Sequence, residues 1–266
     1  MKFRRQLRAF AQAALHILAV VIPAVALARA DTAVWRWAFA ALTLAGVAQL
    51  VLAAFIYIPG FDPLFRIPWR GPRSRRRMAI TFDDGPNGAA TEVVLELLRR
   101  HGAKATFFMI GQNVDAEPEL ARRVVAEGHA VGSHTWSHVK LSTVPLAVAI
   151  DEIDRGHRSL RAAGIADAAL FRAPHGHKRP GVVAHLTRNG LRMIAWTAGV
   201  YDTDSASGDT LSCRAMRWLR PGTILLLHDG KRGHDRGPML QALDTILAAA
   251  RARGLELVTI PELLAG

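Results

Sequence analysis

From Met78 onward, short apolar runs recur, each followed at once by polar residues, and this alternation constrains the fold more than any other feature. The runs occupy 78–82, 105–110, 130–133, 170–173, 193–197, 223–228 and 255–260. Their length and composition predict strands. Between them Val93, Val94, Leu97 and Leu98 keep a helical spacing, as do Leu240, Leu243, Ile246 and Leu247. Seven strands alternating with helices predict a parallel α/β architecture, either an open doubly wound sheet or a distorted (β/α) barrel. In both, chemistry sits at the carboxyl ends of the strands, so the polar residues after each run become the candidates for function.

The first 60 residues have a different texture. Half of the 266 residues are hydrophobic, and the excess is concentrated there, which predicts membrane segments. Residues 9–28 and about 37–58 are each long enough to span a bilayer, with a short polar segment, 29–36, between them. Trp35, Trp37 and Tyr57 fall where an interfacial aromatic belt would lie. The expected organisation is a transmembrane helical hairpin over 1–60, a basic linker over 61–76 and a catalytic domain over 77–266. A competing reading takes Ala28-Arg29-Ala30 as a signal-peptide cleavage site; the second span that follows directly, and the length of the first, favour the hairpin. His16 reads as a neutral residue packed between helices, and Pro23 as a kink.

The formal net charge is +12. Much of it flanks the apolar spans, at Lys2, Arg4, Arg5 and Arg8 and again at Arg66, Arg70, Arg73 and Arg75–Arg77. That distribution points to a membrane surface and not to nucleic acid, for which no zinc-finger or RNA-binding signature is present. The positive-inside rule then places both ends in the cytoplasm of a bacterial-type inner membrane. Cys213, the single cysteine, excludes an internal disulfide and reads as a packing residue on a helix.

The polar clusters fall as the architecture requires. The first run ends in Thr81-Phe82-Asp83-Asp84-Gly85-Pro86. Two adjacent carboxylates there repel each other unless a cation or proton offsets them; the competing reading is an Asp-Gly turn. The third run ends in Ser133-His134-Thr135-Trp136-Ser137-His138. His134 and His138, four apart, are expected on one face of a helical turn, able to share one metal. One carboxylate and two imidazoles leave coordination positions open for water and substrate, the layout of a hydrolytic metal site. Later runs end in Phe171-Arg172-Ala173-Pro174-His175-Gly176 and in Leu225-Leu226-Leu227-His228-Asp229-Gly230. A His after an apolar strand is a candidate proton carrier; the plainer readings are a surface ion pair for Arg172 and a hydrogen-bonded core residue for His228.

Together these motifs resemble the polysaccharide deacetylase family, the NodB-homology domain of carbohydrate esterase family 4, over about residues 77–263. The resemblance selects the distorted barrel of about seven parallel strands. It implies a hydrolase removing an N-acyl group from an amino sugar, with Asp83 as general base and Asp84, His134 and His138 as metal ligands. It implies that Arg172 positions the base, that the backbone N–H of His175 after Pro174 helps hold the oxyanion, and that His228 is the general acid. Asp202 matches the residue that tunes this acid, with Asp204 as its rival. Pro174, His175 and Leu226 are the implied substrate contacts. The implied cofactor is a divalent cation, Zn2+ first, with Co2+, Ni2+ or Mn2+ compatible with the same donors. The sequence departs from the family at His175, where Tyr or Trp is usual. It departs also at Thr203, where Trp is usual, and at Trp196-Thr197-Ala198-Gly199, which lacks the Asp of W-x-x-D. These departures weigh against a polymer such as chitin and leave the metal and proton chemistry intact.

The arginine run could hold a lipid phosphate or serve only as a topology mark in contact with headgroups; with a cytoplasmic domain, the first expectation is an amino sugar met at the membrane, which the resemblance allows to be polyprenyl-linked. The alternatives are deacetylation of an extracytoplasmic cell-wall polysaccharide, and a membrane carbohydrate-binding protein with a dead site.

Overall fold

The computed structural model describes residues 33–57, 65–204, 206–230 and 235–265. Contacts divide the chain into two units, 1–57 and 58–266. In the first, helix α1 (Ala33–Tyr57) carries the apolar stretch Arg36–Ile56, with mean hydropathy 2.2, and is long and apolar enough to cross a membrane. This matches the second expected span. The first span, with His16 and Pro23, lies outside the described residues, so the hairpin is not shown.

The second unit alternates strands and helices in the order β1 (Arg77–Asp83), α2 (Gly88–Arg100), β2 (Ala105–Met109), α3 (Gly111–Ala116), α4 (Pro118–Ala126), β3 (Ala130–Ser133), α5 (Leu146–Ala162), β4 (Leu170–Phe171), α6 (Pro180–Arg188), β5 (Arg192–Met193), β6 (Ala198–Gly199), α7 (Gly208–Met216), β7 (Ile224–His228), α8 (Gly237–Ala252), β8 (Glu256–Leu257) and α9 (Ile260–Leu264). The sheet runs β5-β4-β3-β2-β1-β7-β6, with β8 beside the start of β1, and every strand pair is parallel. It curls into a half-barrel, as the expected barrel requires. Seven of the eight strands coincide with the seven apolar runs; β6, only Ala-Gly, carried no apolar signal. The run 193–197 leaves the sheet after Met193.

The two faces of the sheet bury different cores. Met78, Ile80 and Phe82 of β1 pack outward against the helices with Phe107, Leu225, Leu243 and Leu247. Ala79 and Ile224 point inward to a second core with Phe108, Leu170 and Ile194, which Ile260 and Leu263 of α9 close. Side chains alternate across a strand, so Thr81 and Asp83 share the inward face with Ala79. On β7, Leu226 and His228 share it with Ile224. The ladder pairs Asp83 with His228, which brings two chemical residues 145 positions apart in sequence onto one level of the inner rim.

Between β5 and β6 no ladder forms among the described residues, and residues 67–71 span that seam. Ala195 donates its N–H to the Pro68 carbonyl (2.8 Å), Gly71 donates to the Gly222 carbonyl (2.8 Å), and Arg70 bridges antiparallel to Thr223. Ile67 and Gly71 are buried. Part of the stretch read as a linker is therefore built into the barrel.

Cys213 lies on helix α7 as expected, but its side chain is exposed. The neighbouring Leu211, Ser212 and Ala215 form the buried face of that helix, so Cys213 is not a packing residue.

Candidate active site

The barrel brings the carboxyl-end motifs together. Asp83 closes β1, and the next residue, Asp84, turns the backbone into the left-handed region at φ 76°. Two contacts hold that turn. Asn113 donates to the Asp84 carbonyl (2.7 Å). Gly230 lies so close that a Cβ on it would sit 2.0 Å from the Asp84 carbonyl carbon and oxygen, so only glycine fits. The turn aims the Asp84 carboxylate at two imidazoles. Oδ1 is 3.1 Å from His138 Nε2 and 3.5 Å from His134 Nε2.

His134 and His138 do not sit on a helical turn. Residues 134–140 form an irregular loop, with Thr135 at φ 66° and His138 at φ 63°. Side chains brace it, in place of helical hydrogen bonds. Glu152 of α5 accepts from the Ser137 N–H (2.8 Å) and hydroxyl (2.9 Å), and Thr135 Oγ1 accepts from the His138 N–H (3.0 Å). Helix α5 reaches the loop because Gly156 has no Cβ: one would lie 2.6 Å from Ser133 Oγ.

The His134 ring donates through Nδ1 to the Arg172 carbonyl (2.8 Å), leaving Nε2 bare toward Asp84. Burial lowers the His134 pKa to about 4, outweighing the pull of Asp83. His134 is therefore neutral at pH 7, and its contact with Asp84 is not an ion pair despite the short distance. For Asp84, burial raises the pKa, but the adjacent imidazoles of His138 and His134 more than reverse this and hold it well below the usual range. Its Oδ1 is buried with no hydrogen-bond donor. Asp84, His134 and His138 offer ligand atoms within 4.8 Å of one another. A carboxylate oxygen without a donor, facing two imidazole nitrogens, fits a divalent cation.

Asp83 faces a second arrangement. Arg172, fully buried, donates from Nη1 to Asp83 Oδ1 (2.8 Å) and Thr81 Oγ1 (2.7 Å), and from Nη2 to the Ala195 carbonyl (3.2 Å). Its guanidinium lies over the Phe108 ring, 4.0 Å from the centroid. The plain surface ion pair expected as an alternative is excluded by this burial.

His228 Nδ1 bonds Asp202 Oδ1 (2.8 Å), and its backbone N–H donates to Asp202 Oδ2 (2.8 Å). Burial would lower the His228 pKa, but Asp202, with Asp83 and Asp84 nearby, raises it to about 9. Asp204, the rival, instead pairs with Arg214 (3.0 Å) on the outside. Pro174 is buried in a 3-10 turn, Pro174–Gly176. His175, exposed at φ 58°, sets its ring edge-on to His138 with centroids 4.9 Å apart. Leu226 lines the inner face two residues below His228.

Several supports carried no sequence signal: Asn113, Glu152 and Arg236, whose Nη1 lies 3.8 Å from Asp202 Oδ2. Asp229 was visible in its motif but had no assigned role. It is fully buried, accepts from the Thr91 hydroxyl (2.6 Å) and fills the space beside Gly85. Burial raises its pKa to about 7.

Comparison with known proteins gives a consistent picture. The profile of the family described as Polysaccharide deacetylase matches residues 70–194. A chitooligosaccharide deacetylase of Bradyrhizobium sp. (strain ANU 289) is 36% identical over 217 residues, covering 76% of this chain and 98% of its own. A peptidoglycan-N-acetylglucosamine deacetylase of Bacillus cereus is 34% identical over 205 residues, covering 76% and 95%. Among solved structures, a peptidoglycan N-acetylglucosamine deacetylase bound to a naphthyl-substituted N-hydroxybenzamide superposes with TM-score 0.72 at 28% identity, covering 75% of this chain and 93% of that one. A family 4 pseudoenzyme from Bacillus anthracis superposes with TM-score 0.69 at 27% identity, covering 76% and 70%.

Proposed function

This chain belongs to the polysaccharide deacetylase family, hydrolases of non-peptide carbon–nitrogen bonds, and we propose that it hydrolyses the N-acetyl group of an amino sugar in a saccharide chain, using a divalent cation. One observation carries the reading: Asp83 and His228 are ladder partners on the inner rim, beside the Asp84, His134 and His138 donor set. A pseudoenzyme shares the fold, so the fold alone does not argue for turnover; the complete donor set and proton carriers do.

A cation held by Asp84, His134 and His138, with Zn2+ the first candidate, would polarise the acyl carbonyl and make water more acidic. Asp83 takes the proton of the attacking water. Arg172 holds Asp83 by Oδ1, so that Oδ2 remains for that proton. The N–H of His175 faces the developing oxyanion. His228, protonated and held by Asp202 on Nδ1, donates from Nε2 to the departing sugar nitrogen, which cannot leave as an amide anion. Pro174, His175 and Leu226 border the acyl group and the sugar.

The curated relatives act on chitooligosaccharide and on peptidoglycan, which supports an oligomeric or polymeric substrate over the departures at His175 and Thr203. The second reading, a polyprenyl-linked sugar met in the cytoplasm, draws on the basic flanks of the apolar segments and the run Arg73–Arg77. That run leads into β1 and ends on its first residue, Arg77, whereas Asp83 ends the strand, about 20 Å away over seven residues. Arginines there are poorly placed to hold the phosphate of a molecule whose sugar lies at Asp83.

The deciding experiment is acetate release, with and without chelator, from N-acetylglucosamine oligomers, peptidoglycan and a polyprenyl-linked N-acetyl sugar. Chelator-sensitive release from the first two supports the reading. Release confined to the lipid-linked sugar supports the second, and release unaffected by chelator refutes metal dependence. A reporter fused after Arg77, active only on one side of the membrane, decides the topology independently.

A further inference from the structure

The two ends of the barrel differ in how their charges are met. On the carboxyl rim Asp83 is paired with Arg172, and Asp202 with His228 and Arg236. At the opposite end, where helices finish and strands begin, the connections into five of the eight strands expose a cation. Arg76 precedes β1, Arg100 and Lys104 flank the turn into β2, Arg192 opens β5, Arg220 precedes β7 and Arg253 precedes β8; all six are exposed.

Basic residues in the last turn of a helix complement its dipole, and that accounts for Arg100. Arg76, Lys104 and Arg253 likewise donate to carbonyls at helix ends, whereas Arg192 and Arg220, at a strand start and in a loop, have no such role. Arg76 and Arg253 spend their hydrogen bonds on backbone carbonyls, Arg76 on Gly254 and Arg253 on Met216 and Leu219. Their charge is thereby oriented but not neutralised. The acids on the same connections are Glu127, Asp167, Glu256 and Glu262, and Glu256 is already engaged by Arg77 at 2.6 Å.

Two tryptophans belong to this end. Trp218 stacks under Arg220 (4.7 Å to the ring centroid) and Trp69 under Arg70 (4.6 Å). Both are half-buried. Paired indole and guanidinium groups are the side chains that settle at a bilayer headgroup layer, the indole in the interface and the cation on lipid phosphate.

We propose that the amino end of the barrel is a docking surface for an anionic lipid bilayer, which holds the catalytic rim facing away from the membrane. The occupant follows from charge complementarity together with α1 (Ala33–Tyr57), an apolar helix that ends twenty residues before Arg77. The inference rests on the reading that α1 crosses that bilayer, and it sharpens the substrate: a saccharide chain reaching the enzyme from the aqueous side.

Hydrogen–deuterium exchange on the full chain, in nanodiscs of phosphatidylcholine alone or mixed with phosphatidylglycerol, tests it. The connections 99–104, 217–222 and 251–255 should exchange several-fold more slowly in the anionic discs, with the difference erased by high salt. The loop 134–140 on the catalytic rim should not change. Combined replacement Arg100→Gln, Arg192→Gln and Arg220→Gln should remove the protection while acetate release from a soluble oligomer stays at the parent level, showing that the variant is folded. Equal exchange in both discs, or protection of 134–140 in place of the amino end, would overturn the proposal. So would equal protection by a soluble polyanion in neutral discs. Protection of α1 in both discs is the separate control: if α1 exchanges freely, the anchor reading fails, whatever the loops do.

Discussion

Asp202 grips His228 at two points, one carboxylate oxygen on ring Nδ1 and the other on the backbone N–H, both at 2.8 Å. The grip fixes the ring tautomer, leaves Nε2 to donate, and holds the imidazolium to higher pH. A general acid works only while protonated, so activity falls as pH rises through its pKa. His228 has a pKa of about 9 against 6.5 ordinarily, burial opposing and Asp202 prevailing. A bound cation opposes the imidazolium, so the basic limb of the metal-loaded enzyme lies below about 9. Asp202→Asn should shift that limb to lower pH and reduce turnover, and Asp204→Asn should leave it in place. A pH–rate profile of kcat/KM for both variants checks this. The same group stabilises the fold fully below its unfolded pKa, and that contribution is lost as pH rises through about 9.

Metal and proton transfer should separate by mutation. His134→Ala or Asp84→Ala removes one of three ligands and should abolish both bound metal and activity. Asp83→Asn keeps the ligand set and should lower turnover by about 10²–10⁴ while metal content, read by elemental analysis, stays near the parent value. Full turnover in Asp83→Asn would contradict its role as base.

Arg172 couples stability to catalysis. It is fully buried and paired with Asp83. Breaking a buried pair strands the remaining charge, at a cost of about 3–5 kcal/mol. Arg172→Met should lower the denaturation midpoint strongly. Arg172→Lys keeps the charge but loses the two-pronged contact to Asp83, Thr81 and Ala195, so it should recover more stability than activity. Chemical denaturation run beside steady-state assays separates these outcomes.

Gly230 should tolerate no side chain. The Asp84 carbonyl occupies the position a Cβ would need, so Gly230→Ala must displace the turn that aims the Asp84 carboxylate. The expected result is loss of metal affinity out of proportion to the loss of folding, measured by metal titration and circular dichroism. By contrast Gly199→Ala, whose Cβ would meet Leu226 only at ordinary contact distance of 3.8 Å, should bind metal normally.

Much of this site was legible because barrel chemistry follows strand ends. The alternation of side chains along β1 and β7 turns Asp83 and His228 inward, and their motifs sit at the ends of recognisable apolar runs. What could not be read depended on tertiary closeness. The His134–His138 spacing implied a helical turn, yet Glu152 of α5, together with Thr135 inside the segment, holds an irregular loop with two residues at positive φ. Asn113, Glu152 and Arg236 act through positions that only folding brings near, with no local pattern to mark them. Asp202 and Asp204 are both acids after the same run, and only the backbone turn at Tyr201, φ 58°, directs one inward and leaves the other to Arg214.

Residues 67–71 lie upstream of every catalytic motif, yet they span the open seam of the half-barrel through Ala195, Gly222 and Thr223. A secreted or trimmed form of the enzyme beginning at Met78 would keep all of its chemical groups and lose a stave of the wall that encloses them. A cut that removes the N-terminal part would therefore leave an intact catalyst only where it falls before Ile67, which sets how much of the preceding chain the enzyme must keep.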